Sequence, residues 1–310
     1  MKKKISVAVP VFNEEANLRE FYKRTSDVLK ELDYDYNIIF VDDGSKDSSA
    51  FILNELAKED EHVEAYLLSR NYGHQLAITC GMDNADGDVV ITMDGDLQHP
   101  PELIPQLIEL WEAGNEIVQT KRVATEDAGF IKNLTSSAYY KLINALSEVE
   151  ITPGGSDFRL MDRKAVDAFK LYRERARFIR GLVRTLGFKV AEFEFVAPPR
   201  FAGVSKFNFR KMFHFALDGI TSFSNVPLRW AFYLGLLCGL VSLGLMGHVL
   251  YVKYISEDAV PGWATMMVCT LFIGGIQLIG IGILGEYIGR IFEEIKQRPL
   301  YLVTRHIKKN

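Results

Sequence analysis

The chain has 310 residues, enough for one large domain or two, and its 36 basic and 40 acidic side chains give a formal net charge of −4. This charge argues against a general nucleic-acid-binding protein, so no nucleic acid is expected as a partner. The three cysteines, Cys80, Cys238 and Cys269, have no metal-ligand spacing and predict neither a disulfide framework nor a zinc site.

Strands and helices alternate through the first 120 residues. Strand-like sequence starts at Ile5, so no cleavable signal peptide is expected. Strands are predicted over 5–12, 36–41, 63–68, 89–93 and 116–120. One helix is predicted to follow the first strand and to end near residue 32, and three more are predicted over 49–58, 75–85 and 102–112. This alternation predicts a parallel, doubly wound sheet with helices on both faces, in which ligands bind beyond the carboxyl ends of the strands.

Two acidic loops, Asp42-Asp43 and Asp94-Gly95-Asp96, are predicted to lie at the carboxyl ends of these strands. Asp94 and Asp96 point to one side in a regular strand, and their mutual repulsion makes a cation the expected partner. Oxygen ligands suit Mg2+ or Mn2+, which in turn hold a diphosphate, and Gln98 is a third candidate oxygen. The alternative is a surface turn, because Asp and Gly are turn residues. Two unrelated turns would have no reason to share this edge, which weakens that alternative.

The middle of the chain is less regular. Helices are predicted over 130–146, 164–171 and 178–186, a loop entering a short strand over 152–161, and a half-exposed strand over 190–196. Residues 206–223 are basic and rich in Phe, which is typical of a helix at a membrane surface. The alternative is an ordinary helix packed on the soluble domain.

Two long runs without any Asp, Glu, Lys or Arg follow, over 230–252 and 259–285. Each is long enough to cross a hydrocarbon core of about 30 Å, and both exceed ordinary core helices. Basic residues flank the pair on both outer sides, so both termini are expected in the cytoplasm. Glycines in and just after the second run, from Gly274 to Gly289, suggest close helix packing within or between subunits, and a homo-oligomer is expected. Residues 286–296 should continue the second helix, and residues 300–303 are a candidate last strand.

Four motifs occur in order: Val9-Pro-Val-Phe-Asn-Glu14, Val41-Asp-Asp-Gly-Ser45, Met93-Asp-Gly-Asp-Leu-Gln98 and Gly154-Gly-Ser-Asp-Phe-Arg159. Together they resemble the family 2 glycosyltransferases of the GT-A fold. With the two C-terminal spans, the chain is similar to the polyprenyl-phosphate branch, which includes dolichol-phosphate mannose synthases and bactoprenol glucosyltransferases of the O-antigen-modifying type.

The resemblance implies an α/β fold, a GT-A Rossmann-like doubly wound sheet followed by a membrane domain of two transmembrane helices. The expected division is a cytoplasmic glycosyltransferase domain over 1–205, an interfacial helix over 206–227, a transmembrane hairpin over 228–285, and a cytoplasmic helix and tail over 286–310. The protein is thus expected in the cytoplasmic membrane, in contact with lipids.

The resemblance also assigns site residues. Residues bordering the nucleoside of the donor would be Pro10, Phe12, Glu14, Asp42 and Asp43. Residues holding the divalent metal would be Asp94, Asp96 and Gln98, and candidates for phosphate contacts are Arg122, Arg200 and Lys206. Alternatives stay open: the Asp42-Asp43 carboxylates could cap the following helix, Lys121 competes with Arg122, and the three basic residues could be solvated surface charges. His74 and His99 are conceivable ligands, although such residues more often pack or cap.

The implied chemistry is inverting transfer of a hexose, with glucose preferred, from a UDP-sugar to undecaprenyl phosphate. The acceptor phosphate is largely ionised near neutral pH, since its second pKa is about 6, so a strong general base is not essential. Asp157 is the candidate base, and its alternative is to order the Gly154-Gly155 loop or to pair with Arg159. Other hypotheses are transfer of mannose from GDP-mannose or of an aminoarabinose derivative, and a non-catalytic nucleotide-binding scaffold tethered to the membrane. A processive polysaccharide synthase is disfavoured, because such an enzyme usually carries more membrane spans and a Gln-x-x-Arg-Trp segment, which this sequence lacks.

Overall fold

The computed structural model describes residues 2–123, 155–175, 177–198, 224, 226–251 and 262–309. The strands are β1 Lys4–Val11, β2 Asp35–Asp42, β3 Val63–Leu68, β4 Val89–Thr92, β5 Ile117–Arg122, β6 Gly155–Asp162, β7 Val190–Phe195 and β8 Val303–Lys308. The helices are α1 Leu18–Glu31, α2 Ser49–Glu59, α3 His74–Asn84, α4 Ile104–Glu112, α5 Arg163–Leu171, α6 Ile179–Thr185, α7 Val226–Tyr251 and α8 Trp263–Ile295. A 3-10 turn, Pro101–Leu103, precedes α4.

The strands form one sheet in the order β7-β5-β6-β4-β1-β2-β3-β8. Strands β3, β2, β1 and β4 are parallel, joined by helical crossovers, which confirms the predicted α/β fold class. The sheet is nevertheless mixed, because β6 runs antiparallel to β4 and β5, and β8 runs antiparallel to β3. The antiparallel β6 matters for the site, since its amino end meets the carboxyl end of β4.

Burial explains why the central strands read as continuous apolar runs. Every residue of β1 after Lys4 is buried, as expected for a parallel strand covered on both faces. Helix α1 packs on this sheet through a buried stripe that includes Leu18, Phe21 and Leu29. The ring of Phe21 meets that of Phe40 of β2 edge-on, with centroids 6.0 Å apart. This packing fixes where the loops leave the carboxyl ends of the strands.

The last strand lies later than predicted. The sequence indicated residues 300–303, whereas β8 covers Val303–Lys308. The reason is that β8 is an edge strand on which only Ile307 is buried, so it lacks the apolar pattern that marks a strand. Similarly, β6 begins at Gly155, within the segment predicted as a loop entering a strand. The helix predicted over 130–146 and the membrane-surface segment 206–223 lie outside the described residues.

The chain divides into two compact units. One contains the described residues from 2 to 198 together with 298–309, and the other contains those from 224 to 297. Within the second unit, α7 and α8 contact each other, and both are long and apolar enough to cross a membrane. Their apolar side chains are exposed, including Leu236, Phe272 and Ile279. Helix α8 continues to Ile295 without a break, as predicted for the segment after the second apolar run.

Candidate active site

The site is assembled where β4 ends and β6 begins. Thr92 of β4 pairs with Arg159 of β6, and the Thr92 hydroxyl donates a hydrogen bond of 2.6 Å to the carbonyl of Asp157. Asp94 lies two residues beyond Thr92, so the antiparallel pairing brings Asp94 and Asp157 to the same edge. The two carboxylates predicted from separate motifs therefore belong to one cluster.

His74 bridges these carboxylates from the first turn of α3. Its Nε2 lies 3.3 Å from Oδ1 of Asp94 and 3.6 Å from Oδ2 of Asp157. Burial lowers the pKa of His74, but attraction to the two carboxylates outweighs burial and raises the pKa to about 9. The imidazole is therefore a cation at neutral pH. The sequence alone favoured packing or capping for this residue, and the structure places it in the cluster.

His99, in contrast, positions the loop after β4. The backbone N–H of Asp94 donates to Nδ1 of His99 over 2.8 Å, so the proton of the neutral ring lies on Nε2, which is 2.7 Å from the hydroxyl of Ser156. The 3.7 Å approach of Nδ1 to the Asp94 carboxylate is therefore not an ion pair. The ring is buried and stacks on Phe158 with centroids 5.3 Å apart. His99 thus fixes the backbone at Asp94.

Asp157 is held by two arginines and a glutamine. Its Oδ1 accepts from Nη2 of Arg159 at 3.0 Å and from Nε of Arg180 at 3.1 Å. Its Oδ2 accepts from Nη2 of Arg180 at 3.0 Å and from Nε2 of Gln75 at 3.4 Å. Burial would raise the pKa of Asp157, but Arg180, His74 and Arg159 hold it well below the usual range for a carboxyl. Of the alternatives weighed for Asp157, the pairing with Arg159 is present in the structure.

The loop after Asp94 has the chemistry for a divalent cation. Oδ1 of Asp94 is buried and receives no well-aligned hydrogen bond from any described residue. Asp96 and Gln98 are half-buried, and Oδ1 of Asp96 accepts the N–H of Gln98 at 3.1 Å. Leu97 between them has φ +62°, a left-handed conformation that folds the loop back sharply.

Over the ranges that the structure describes, no group of three or more His, Cys, Asp or Glu side chains converges to hold a metal. Mg2+ is usually bound by one or two carboxylates, with substrate phosphates and water completing its shell. Asp94 fits such an ion through its carboxylate, although Oδ1, which lacks a well-aligned hydrogen bond, lies 3.3 Å from His74, so a bound ion would compete with that imidazole.

The other acidic loop uses its carboxylates differently. Asp43 is buried, and its two oxygens accept the backbone N–H groups of Tyr72 at 2.6 Å and Gly73 at 2.9 Å. Asp42, also buried, accepts the N–H of Ser45 at 3.3 Å. Burial raises the pKa of both carboxyls. The loop passes so close to Arg70 that a Cβ on Gly44 would lie 2.6 Å from a backbone carbon.

The other residues predicted to border the nucleoside of the donor substrate lie along the same edge of the sheet. Pro10 is buried in β1, and Phe12 and Glu14 are half-buried in the loop that follows. This loop is joined to the one after β2, because Asn13 N–H donates to the Ser45 hydroxyl at 2.9 Å and the Lys46 N–H donates to Asn13 at 2.8 Å. The two loops therefore form one rim of the site.

Of the three residues predicted to contact phosphate, Arg122 lies within the described part of the chain. Arg122 ends β5 and is exposed, while its neighbour Lys121 pairs with Glu194 at 2.9 Å. Arg200 and Lys206 lie outside the described residues. Sequence reasoning missed Gln75 and Arg180, because both reach Asp157 from helices remote in the chain and neither belongs to a motif.

Comparison with known proteins gives two family matches and several close relatives. Residues 6–169 match glycosyl transferase family 2, and residues 226–291 match the GtrB C-terminal hairpin. An uncharacterized glycosyltransferase of Bacillus subtilis is 42% identical over 300 residues, covering 97% of this chain and 93% of the relative. A prophage-derived bactoprenol glucosyl transferase of Shigella flexneri is 42% identical over 307 residues, covering 99% of each chain. A prophage bactoprenol glucosyl transferase homolog of Escherichia coli is 43% identical over 302 residues, covering 97% of this chain and 99% of the relative.

Proposed function

The chain belongs to glycosyl transferase family 2 and is a glycosyltransferase, and we propose that it transfers a hexose, preferably glucose, from a UDP-sugar to undecaprenyl phosphate. The observation that carries the proposal is near-full-length similarity to bactoprenol glucosyl transferases, which extends through the C-terminal hairpin. The product would be a polyprenyl-phosphate sugar for modification of cell-surface glycans.

The donor is proposed to lie along the edge formed by the loops after β1, β2 and β4. Its nucleoside would border Pro10, Phe12, Glu14, Asp42 and Asp43, and Arg122 would contact its phosphates. Asp43 would act there chiefly by fixing the Tyr72-Gly73 backbone, to which its oxygens are bonded. A divalent ion, Mg2+ or Mn2+, would be held by Asp94, Asp96 and Gln98 and, when bound, would neutralise charge on the leaving diphosphate.

The reaction is a single inverting displacement. A phosphate oxygen of the acceptor forms a bond to the anomeric carbon as the bond from that carbon to the diphosphate breaks. Because the acceptor phosphate is already largely ionised, no strong base is required. The cations gathered around Asp94 and Asp157 stabilise the anionic groups that meet there.

The acceptor side is proposed to include Arg200 and Lys206, next to a segment suited to the membrane surface. Arg binds phosphate through two parallel hydrogen bonds, while Lys acts as a point charge. An anionic lipid head near the bilayer would meet the donor sugar in this region. Changing either residue to Ala should weaken use of the lipid phosphate while leaving UDP binding unchanged.

The fold supports a topology with both termini on one side of the membrane. Strand β8, which follows α8, pairs with β3 of the domain that begins the chain. Two spans between segments of one folded domain return the chain to its starting side, and the basic flanks favour the cytoplasm. A reporter active only in the cytoplasm should therefore work when fused after Asn310 and fail within 256–261. The reverse pattern would contradict this topology.

Glycines spread along α8 support a further proposal, that the helices pack closely between copies of the chain in a homo-oligomer. These positions are Gly274, Gly275, Gly280, Gly282, Gly285 and Gly289. A chemical cross-link between copies in native membranes would test it, and a wholly monomeric protein there would contradict it.

A donor panel tests the proposed function. Full-length protein in lipid nanodiscs is incubated with undecaprenyl phosphate and radiolabelled UDP-glucose, GDP-mannose or a UDP-aminoarabinose derivative. We expect label from UDP-glucose in the organic phase, dependent on the added lipid. Label only from another donor would change the sugar, and no lipid-bound label from any donor would favour the scaffold hypothesis.

A further inference from the structure

His99 closes the loop that carries the proposed metal ligands. The backbone N–H of Asp94, at the start of this loop, donates to Nδ1 of His99, at its end, over 2.8 Å. The left-handed conformation of Leu97, with φ +62°, folds the chain back so that the two ends meet. The other two proposed ligands, Asp96 and Gln98, belong to the segment that this hydrogen bond encloses.

The hydrogen bond from Asp94 begins where the pairing of β4 with β1 stops. Met93, just after β4, still bonds to β1, because its N–H donates to the carbonyl of Ala8 at 3.2 Å. The N–H of the next residue, Asp94, donates to the imidazole of His99 instead. A backbone N–H beside a buried ring is costly to leave without an acceptor. Removing this acceptor would therefore loosen the chain at the residue whose carboxylate is proposed to bind the metal.

The other nitrogen of the His99 ring ties the loop to β6. Because Nδ1 accepts the Asp94 N–H, the neutral ring carries its proton on Nε2, which donates to the Ser156 hydroxyl over 2.7 Å. The same hydroxyl accepts the N–H of Phe158 at 3.2 Å, so Ser156 is itself held within β6. Asp157 follows Ser156 directly. The ring therefore links the backbone of one carboxylate residue of the site to the neighbour of the other.

The surroundings of the ring suit it to hold other groups in place. His99 is buried, and it stacks on Phe158 with centroids 5.3 Å apart and meets Phe195 edge-on at 6.2 Å. A ring packed in this way has little freedom to turn, so its two hydrogen bonds have fixed directions. Groups that hold metal ligands from behind set the orientation of those ligands and hence the affinity for the ion.

We propose that His99 is a positioning residue for the divalent ion: its two nitrogens keep the loop after β4 closed and fixed to β6, so that the ion meets ligands already in place. The imidazole does not bind the ion itself, because Asp94 and Ser156 engage both nitrogens. This inference rests on the proposed function, which supplies the ion and the diphosphate. It assigns a role to a histidine that the sequence left between a ligand and a packing residue.

Mn2+ binding tests this role apart from transfer. In full-length protein in nanodiscs, electron paramagnetic resonance of the free ion gives the Kd for Mn2+ in the presence of UDP. His99→Phe keeps an aromatic ring against Phe158 but removes both hydrogen bonds, and it should raise this Kd about 10- to 100-fold. His99→Asn offers an amide oxygen in place of Nδ1, and it should recover most of the affinity that His99→Phe loses.

His62 provides a matched control in the same domain. Its ring stacks on Tyr36 with centroids 4.2 Å apart, and its Nδ1 lies 2.9 Å from the carbonyl of Tyr36. His62→Phe therefore also replaces a stacked, hydrogen-bonded imidazole by a phenyl ring. Both His→Phe changes should lower the melting temperature, but His62→Phe should leave the Kd for Mn2+ unchanged. The affinity for the ion thus separates positioning from a purely structural role.

An unchanged Kd for Mn2+ in His99→Phe, or equal losses of affinity in His99→Phe and His99→Asn, would overturn the proposal. If His99→Phe fails to fold, Ser156→Ala decides, because it removes only the acceptor of Nε2 and should still raise the Kd. An unchanged Kd there would overturn the proposal. A wild type that binds no Mn2+ would reject the metal assignment and this inference together. Absence of transfer in a wild type that binds Mn2+ would reject only the proposed transfer.

Discussion

The acidic loops after β2 and β4 leave the sheet on either side of β1, yet their carboxylates have different partners. Asp43 gives both oxygens to backbone N–H groups, and Asp42 accepts another. Asp94 instead faces His74, and the adjoining Asp157 faces His74 and two arginines. The same residue type at the same sheet edge therefore supports the fold in one loop and gathers cations in the other.

This difference distinguishes a supporting loop from a reactive one. Backbone donors are neutral and fixed, so they can hold a carboxylate but cannot move to meet a ligand. Side-chain cations can share their charge with an incoming phosphate. The pKa directions agree, because burial raises the pKa of Asp43 while nearby cations outweigh burial and lower that of Asp157. The loops are also linked, since Asp43 holds Gly73 immediately before His74.

The largest expected contrast is in activity. Asp94→Asn and Asp96→Asn should each lower transfer about 1,000-fold or more, because each removes an oxygen charge proposed to hold the metal on the diphosphate. Asp96→Asn should not lower the melting temperature appreciably, because its side chain is half-buried, whereas Asp94→Asn should lower it modestly, because it also removes the ion pair with His74. A wild-type transfer rate in either variant would show that the loop after β4 is not required for the reaction.

Removal of the metal should impair the function of the loop after β4 and leave the structural role of the loop after β2 intact. Thorough chelation with EDTA should abolish transfer, and Mg2+ or Mn2+ should restore it, because the ion neutralises the leaving diphosphate. Circular dichroism should not change, since the two oxygens of Asp43 accept hydrogen bonds from the backbone N–H groups of Tyr72 and Gly73, which do not depend on the ion. Full activity after chelation would contradict the metal assignment.

Asp157→Asn should be the most destabilising change in the cluster. It leaves Arg159 buried without its counter-charge, which costs about 3–5 kcal/mol. Asp167→Asn, at an exposed pair with Arg163, should cost less than about 1 kcal/mol and serves as the control. Thermal melting measures both, and similar melting temperatures would contradict this assignment.

The effect of pH follows from the sign of the Asp157 shift. Its pKa in the folded protein lies below the unfolded value of about 3.9, so its stabilisation is fully present above that pH. It is lost as the pH falls through the folded pKa. The difference in melting temperature between wild type and Asp157→Asn should be constant between about pH 5 and pH 6 and should shrink below pH 4. It should also shrink as the pH rises toward 9, because His74 then loses the charge that Asp157 stabilises. A difference that grows in acid would contradict the shift.

Asp43→Asn should have the smallest effect, mainly on stability. One oxygen becomes an N–H group facing a backbone donor, at a cost of about 1–3 kcal/mol. Transfer should fall less than about tenfold, through displacement of Gly73 and His74. Urea denaturation and the KM for the donor would measure both effects. A loss of transfer equal to that of Asp94→Asn would make the loops equivalent.

The sequence predicted those features that are local. Alternating elements indicated the parallel core, and consecutive motif residues placed Asp42, Asp43, Asp94 and Asp96 at its carboxyl edge. Three features depend on contacts between distant segments, and local patterns did not mark them. Strand β8 is polar because it is an edge strand, β6 is antiparallel although helices and strands alternate before it, and Arg180 reaches Asp157 from a separate helix.

The most direct test of the reactive loop is the lipid product formed by wild type and Asp94→Asn under identical conditions. Mass spectrometry of the organic extract, after incubation with UDP-glucose and undecaprenyl phosphate, would detect the lipid carrying one hexose. We predict this product from the wild type and almost none from Asp94→Asn. Equal amounts from both proteins, or glucose released into water without a lipid product, would contradict the account.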